Sequence, residues 1–128
     1  MSDTNNSPLD DLFVKEEALS NELLRDTLVN YVKLTPEGKI FPLPGFNELK
    51  NSQKILAILL AKKVLKLKLN LDESTSPTEI QEITGLSKGT VNPTLTHLAH
   101  GKFLINVGGK YSIPNYAILN VSGVFKNG

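Results

Sequence analysis

The chain has 128 residues, of which 40% are hydrophobic and 21% charged, and its formal net charge is +1. This length suits one domain with an added segment, and the composition is too apolar for a wholly disordered chain. The chain contains no cysteine, which excludes disulfides, thiolate zinc sites and cysteine nucleophiles. Its two histidines, His97 and His100, are too few for a histidine-rich metal site, and we predict neither a metal nor a cofactor.

The sequence shows no targeting signal and no catalytic motif. The longest apolar run, Ile55 to Ala61, is far too short to span a membrane, and no signal segment opens the chain. A glycine-rich phosphate loop with lysine, a G-x-S-x-G motif and a histidine near an acidic residue in sequence are all missing. We therefore expect a cytoplasmic protein that is not an enzyme and does not enter a membrane.

Charge is spread unevenly along the chain. Residues 1–47 carry a net charge of −4, residues 48–75 carry +3 and residues 76–128 carry +2. No Asp or Glu follows Glu82, so the last 46 residues hold four lysines and no acid. A surface that meets phosphate gains from the exclusion of negative charge, which favours a nucleic-acid partner. The plainer explanation is chance in a stretch rich in Gly, Asn and Ser.

The N-terminal part is predicted to be a helical arm followed by a turn. Residues 1–7 are polar and are expected to be disordered. In residues 8–33, apolar residues recur at roughly helical spacing beside an acidic face, which predicts one long helix or two shorter ones. This arm either mediates dimerisation or packs on its own domain. The turn Thr35-Pro-Glu-Gly38 predicts a small hairpin, and we expect a flexible boundary within residues 34–48, between the arm and turn (8–47) and the core domain.

A helix over 51–66 is predicted next, followed by strict alternation of leucine with polar residues over 65–71. The alternation favours a short strand, although a continued helix also fits it. Ser76-Pro-Thr-Glu79 is a capping box, in which the serine hydroxyl bonds the Glu79 N–H and the carboxylate reaches back. Gly85 suits the end of this helix because glycine adopts positive φ at no cost.

A second helix over 88–100 and a hairpin complete the pattern. Ser87 is a candidate N-cap, Val91, Leu95 and Leu98 form one apolar stripe, and Pro93 predicts a bent or irregular start.

The pair Gly108-Gly109 between two apolar-rich runs predicts a two-residue hairpin loop in which Asn106 opposes Tyr111. The tail, residues 114–128, carries apolar residues at helical spacing and is predicted to form a weak helix that packs back on the domain.

Several local motifs share one order along the chain, and they are Ser76-Pro-Thr-Glu-Ile80, Ile83-Thr-Gly-Leu-Ser87, Thr90-Val91, Leu95-Thr-His-Leu98 and Gly101-Lys-Phe-Leu104. This order resembles a winged helix-turn-helix domain over residues 48–113. It is similar to the DNA-binding domains of small bacterial and archaeal transcription regulators of the multiple-antibiotic-resistance-regulator type, and to archaeal winged-helix proteins with a similar preceding segment. The resemblance implies a mainly α fold with a small β wing, in the α+β class.

The resemblance also implies a surface for double-stranded DNA. In such domains the second helix of the pair enters the major groove and the first crosses the phosphate backbone. Asn92 would bond an adenine edge, Lys88 a phosphate or base, and Thr78 a phosphate at a helix start. The full implied set is Thr78, Ser87, Lys88, Thr90, Asn92, Thr96, His97 and, at the wing tip, Lys110. For each of them an exposed or capping residue is the plainer interpretation.

Two functions remain open from the sequence. The first is a DNA-binding transcription regulator that forms a homodimer through its N-terminal helices or its tail, with no small-molecule ligand identifiable. The second is a winged-helix protein–protein interaction module that acts as an adaptor in a larger assembly. The acid-free C-terminal part favours the first, whereas a reader helix with glycine, proline and no arginine favours the second.

Overall fold

The computed structural model describes residues 8–12 and 16–126, so the disorder expected for residues 1–7 lies outside the described residues. The described part is mainly helical with two small antiparallel sheets, which places it in the α+β class. The helices are α1 (Glu16–Leu28), α2 (Asn51–Leu69), α3 (Pro77–Thr84), α4 (Lys88–His100) and α5 (Ile118–Lys126). The strands are β1 (Val32–Leu34), β2 (Ile40–Pro42), β3 (Ile105–Val107) and β4 (Lys110–Ser112), and 3-10 turns cover Pro8–Leu12, Pro44–Glu48 and Asn115–Ala117.

The helix α2 lies at the centre of the molecule. Its residues from Ile55 to Ala61 are each at most 1% exposed, although they point to every side of the helix. A helix that is apolar all round must be surrounded by other elements. The helices α1, α3, α4 and α5 all pack against it, together with β1 and β4.

The N-terminal segment contributes to this same core. Its described part forms a 3-10 helix over Pro8–Leu12 and the helix α1, and the residues between them, where one long helix and two shorter ones would differ, lie outside the described residues. Leu24 and Leu28 of α1 are buried in one cluster with the α2 residues, and Val32 and Phe46 join them. The predicted hairpin is present, with Leu34 paired to Ile40. This packing matches the interpretation of a helix that packs on its own domain.

The strand expected within 65–71 is wrong, and the helical alternative holds. The helix α2 continues to Leu69 and ends at Asn70, whose φ of 59° is left-handed. Leu67, Leu69 and Leu71 are 39 to 51% exposed, so their alternation with lysine marks a helix end that reaches into solvent. Lysines in the last turn of a helix also complement its partial negative charge.

The next two helices, α3 and α4, form as predicted, but one contact at the start of α3 differs. The Ser76 hydroxyl accepts a hydrogen bond from the Glu79 N–H (3.1 Å), and Gly85 ends α3 with a φ of 79°. The expected return contact from the Glu79 carboxylate to the cap is wrong. This carboxylate forms an ion pair with Lys62 of α2, and so it ties α3 to the central helix.

The C-terminal hairpin has the predicted register and gains a further contact. Asn106 pairs with Tyr111, and the loop residues Gly108 and Gly109 have φ values of 62° and 87°, as a type I′ turn requires. Thr75, in the loop before α3, forms an isolated bridge to Tyr111, with hydrogen bonds of 2.8 and 2.9 Å. The hairpin is therefore fixed to the chain segment that precedes α3.

The predicted C-terminal helix is also present. The helix α5 packs against α1 and α2, and it buries Ile118 and Val121. The ring centroids of Tyr31, which follows α1, and Phe125 of α5 lie 5.8 Å apart, so the two rings pack against each other. None of the helices in the described residues is long and apolar enough to cross a lipid bilayer.

Two glycine-to-alanine substitutions should change stability in opposite directions. A Cβ at Gly85 or at Gly123 would meet no atom within 4 Å, but only Gly85 has positive φ. We expect Gly85→Ala to lower the free energy of unfolding by about 1–2 kcal/mol, through backbone strain alone. Gly123→Ala, inside α5, should raise it by about 0.5–1 kcal/mol. Urea denaturation followed by circular dichroism measures both, and shifts of the same sign would contradict the assigned backbone conformations.

Candidate nucleic-acid interface

One face of α4 is buried and the opposite face is open to solvent. Val91 and Leu95 are fully buried and Leu98 is 5% exposed, as their spacing predicts, and α4 packs against α2 and α3. Four of the predicted site residues on α4 are exposed, and they are Lys88, Asn92, Thr96 and His97. By helical period Thr96 lies away from the buried stripe and Asn92 and His97 lie on its flanks, whereas Lys88 belongs to the first turn.

The first turn of α4 differs from the predicted cap. Ser87 occupies the N-cap position, but its hydroxyl forms no capping bond to the backbone of the helix. Its Oγ lies 3.2 Å from the Oγ1 of Thr90, which is partly buried. The expectation that the Ser87 side chain caps the helix is therefore wrong. The pair of hydroxyls sits beside first-turn N–H groups, which favour an anion.

Threonine hydroxyls along α4 bond to the helix's own carbonyls. Thr94 donates to the Thr90 carbonyl (2.7 Å), and Thr96 donates to the Asn92 carbonyl (3.1 Å). A hydroxyl has one donor, so Thr96 retains only acceptor capacity towards another molecule. Such back-bonding also bends helices. The helix runs unbroken past Pro93, and the bend expected there stays a prediction.

Thr78 lies on α3, exposed, one residue after Pro77. Glu82 follows it by four residues and is also exposed, so the two side chains share one face of the helix. A carboxylate one turn away repels a phosphate near Thr78.

Lys110 is exposed at the hairpin, beside the loop glycines. The pKa of the exposed Asp72 carboxyl lies below its ordinary value of 3.8, mainly because the Ser74 backbone N–H donates to it (2.9 Å). The positive charge of Lys110 contributes to the same lowering, followed by that of Lys66. Asp72 therefore partly offsets the charge at the hairpin. The bridge between Thr75 and Tyr111 produces this proximity, and the sequence analysis missed it.

Two other acids near the candidate interface, Glu79 and Glu73, form ion pairs with lysines of α2. Glu79 pairs with Lys62, as described above. Lys63, only 4% exposed, places its Nζ 2.6 Å from the Glu73 Oε1 and donates to the Asn115 Oδ1 at 2.9 Å. Breaking a buried pair of this kind by removing one partner costs about 3–5 kcal/mol. These contacts neutralise both acids and anchor the loop to which the hairpin is bridged.

A shallow cleft of about 260 Å³ separates α4 from the hairpin. It is lined by Thr96, Ala99, His100, Asn106 and Tyr111. The Asn106 amide is engaged on both sides, since it donates to the Tyr111 hydroxyl (3.2 Å) and accepts from the Gly109 N–H (3.0 Å).

The sequence analysis did not select His100, although it stands one helical turn after Thr96. It also missed Lys102, which is exposed just after α4 with a φ of 68°. Both residues extend the polar surface beyond the predicted set.

Within the described residues, no group of three or more His, Cys, Asp and Glu side chains is placed to hold a metal ion. The chain matches no protein-family model, no curated protein and no solved structure. The case for a function therefore comes from the geometry and charge of the chain itself.

The pKa of Asp72 provides a direct test of the arrangement at the hairpin. Its carboxylate stabilises the fold above the ordinary value of 3.8, and this contribution is lost as the pH falls through the lower folded value. We expect NMR titration to give a midpoint below 3.8. Lys110→Gln should move this midpoint upward, whereas Lys126→Gln should leave it unchanged. A midpoint at or above 3.8 would contradict the hydrogen bond from the Ser74 N–H, which is the main cause of the lowering. No response to Lys110→Gln would separate Asp72 from the hairpin.

Proposed function

We propose that this chain is a DNA-binding protein that regulates transcription, and that residues 48–113 form a winged helix-turn-helix domain. The observation that carries the proposal is the exposed face of α4, which stands beside a β-hairpin in a stretch with no acid after Glu82. The order α2, α3, α4, β3 and β4, with a three-residue turn between α3 and α4, supports the domain assignment. The bridge from Thr75 supports it further, because it adds a third strand position to the hairpin.

In the proposed complex, α4 lies in the major groove of duplex DNA. Asn92 is exposed near its start, where an amide can bond the N6 and N7 edge of adenine. Lys88 stands one turn earlier, beside the Ser87 and Thr90 hydroxyls, and contacts a backbone phosphate there. The sugar–phosphate backbone of the DNA then follows the cleft between α4 and the hairpin, where His100 and Lys102 lie beside it.

The charges predict that this binding is only moderately sensitive to salt. Lys88 and Lys102 have no ion-pair partner among the described residues, whereas Lys110 is partly offset by Asp72. Each phosphate contact contributes a slope of about −0.9 to the plot of log affinity against log salt. With so few cations, a total slope of roughly −2 to −4 is expected.

An adaptor role is the second candidate, and the acids beside the interface favour it. Asp72 lies near Lys110, and Glu82 shares a helix face with Thr78, so two of the predicted DNA contacts stand beside negative charge. Winged helices also serve as protein-binding modules, and fold alone does not decide between the two roles. If the protein does not bind DNA even at low salt, the DNA-binding proposal is wrong and the adaptor role is favoured.

DNA affinity should depend on α4 and not on charge in general. We expect the full chain to bind a mixed-sequence duplex in fluorescence anisotropy, and Lys88→Glu to weaken this binding by about tenfold or more. Lys126→Glu makes the same charge change on α5 and should alter affinity less than about twofold. Equal losses in both variants would indicate general electrostatics and contradict the assignment of α4.

A test of base recognition by Asn92 needs a DNA duplex whose sequence the protein prefers. After in vitro selection of a preferred duplex, Asn92→Ala should lower affinity for it by about tenfold and relax the preference at one base pair. Urea denaturation of each variant checks that the fold is retained. An unchanged preference in Asn92→Ala would remove Asn92 from the reader set.

The proposed homodimer is expected to form through the tail. Tyr116, in the 3-10 turn before α5, and Leu119, in the first turn of α5, are 71% and 59% exposed and offer an apolar surface. We expect sedimentation velocity at micromolar concentration to show a dimer that Leu119→Glu dissociates. Leu67→Glu, at a similarly exposed leucine of α2, should leave it intact. A monomeric wild type would contradict the homodimer.

A further inference from the structure

An apolar groove lies between α1, the C-terminal half of α2 and β1. Its volume is about 440 Å³. The aliphatic walls are formed by Leu24, Leu28, Val32, Leu34, Val64 and Leu67. Leu24 and Leu28 form a floor that is 2% and 5% exposed, whereas Leu67 at the rim is 51% exposed. The groove is therefore a concave apolar surface with a buried floor and an open mouth.

This groove differs from ordinary surface roughness in its size and lining. Protein interiors are close-packed and leave few voids larger than a water molecule. Small-molecule sites occupy about 300–1,000 Å³ and are mostly apolar with a few placed polar groups. The groove meets both conditions, and it lies away from the exposed face of α4.

The polar groups of the groove carry one sign of charge. Among the described residues that line the groove, the polar ones are Asn21, Arg25 and Lys68, and none is acidic. The Arg25 Nε donates to the Asp26 Oδ1 at 3.0 Å, which leaves its two terminal amino groups for another acceptor. Lys68 has no ion-pair partner among the described residues. Aliphatic walls with cations beside them are complementary to an apolar molecule with one anionic end.

We propose that this groove binds a free medium-chain fatty carboxylate. The alkyl chain lies along Leu24, Leu28 and Val64, where each buried methylene contributes favourable transfer energy. The carboxylate faces Arg25 and Lys68, since a guanidinium donates two parallel hydrogen bonds to it. The site uses no residue of the proposed DNA surface, so this inference stands independently of the proposed function.

Decanoate, kept below its micellar concentration, is the probe. Isothermal titration calorimetry with the full chain should give saturable binding at one site per chain. Decanol matches its alkyl chain without the charge and should bind about tenfold more weakly, because a charge-assisted hydrogen bond is lost. Acetate matches the charge without the chain and should show no saturable binding. Equal affinity for decanol and decanoate would overturn the role of the cations.

Matched variants assign the binding to the groove. Leu67→Glu alters an exposed rim residue, so the fold is retained, and it should abolish decanoate binding. Val107→Glu introduces the same charge at a 70% exposed apolar residue of β3, outside the groove, and should not. Lys68→Gln and Arg25→Gln should each weaken binding by about tenfold, whereas Lys66→Gln, outside the groove, should not.

Three results would overturn the proposal. They are the absence of saturable decanoate binding to the folded chain, unchanged binding in Leu67→Glu, and a dimer that Leu67→Glu dissociates. The last result would identify a second copy of the chain as the occupant of the groove.

Discussion

The burial of α2 on all sides is the constraint from which the remaining architecture follows. No single partner covers a helix whose residues from Ile55 to Ala61 are all inaccessible. The α3–α4 pair and the hairpin cover one part of it, and α1, β1 and α5 cover another. The segments outside residues 48–113 thus complete the core, because without them the apolar surface of α2 would face water.

The same burial explains the distribution of charge. Lys63 is carried into the interior by its position on α2, and there it requires a partner to offset the loss of hydration. Glu73 and Asn115 meet this requirement, and they come from loops on either side of the α3-to-hairpin segment. Lys62, the neighbouring residue, engages Glu79 in a similar way. Two acids are thereby neutralised, which leaves the acid-poor surface that the proposed DNA contact uses.

Features set by local chemistry could be predicted from the sequence. The Ser76 hydroxyl cap, the positive φ of Gly85 and the type I′ loop at Gly108 and Gly109 each depend on a few neighbouring residues. The buried stripe of α4 follows from helical period alone, and it determines which residues of the candidate site face outward. These local rules predict α3, α4 and the hairpin register, but not the C-terminal end of α2.

Features set by contacts between distant segments could not be predicted. The alternation after Leu65 favours a strand by its period, yet the surroundings of α2 make it an exposed helix end. The Glu79 carboxylate forms an ion pair with Lys62, and not the predicted hydrogen bond to the N-cap of α3, because α2 lies beside α3. The proximity of Asp72 to Lys110 depends on a bridge between residues far apart in sequence. The groove between α1 and α2 likewise exists only once those helices pack.

The bridge between Thr75 and Tyr111 also constrains the order in which the molecule folds. A hairpin of two three-residue strands is at most marginally stable by itself in water. Its third strand position lies before α3, so the bridge closes a loop that contains both α3 and α4, and closing this loop costs less entropy once the two helices have formed. We therefore expect the hairpin to form after the helix pair.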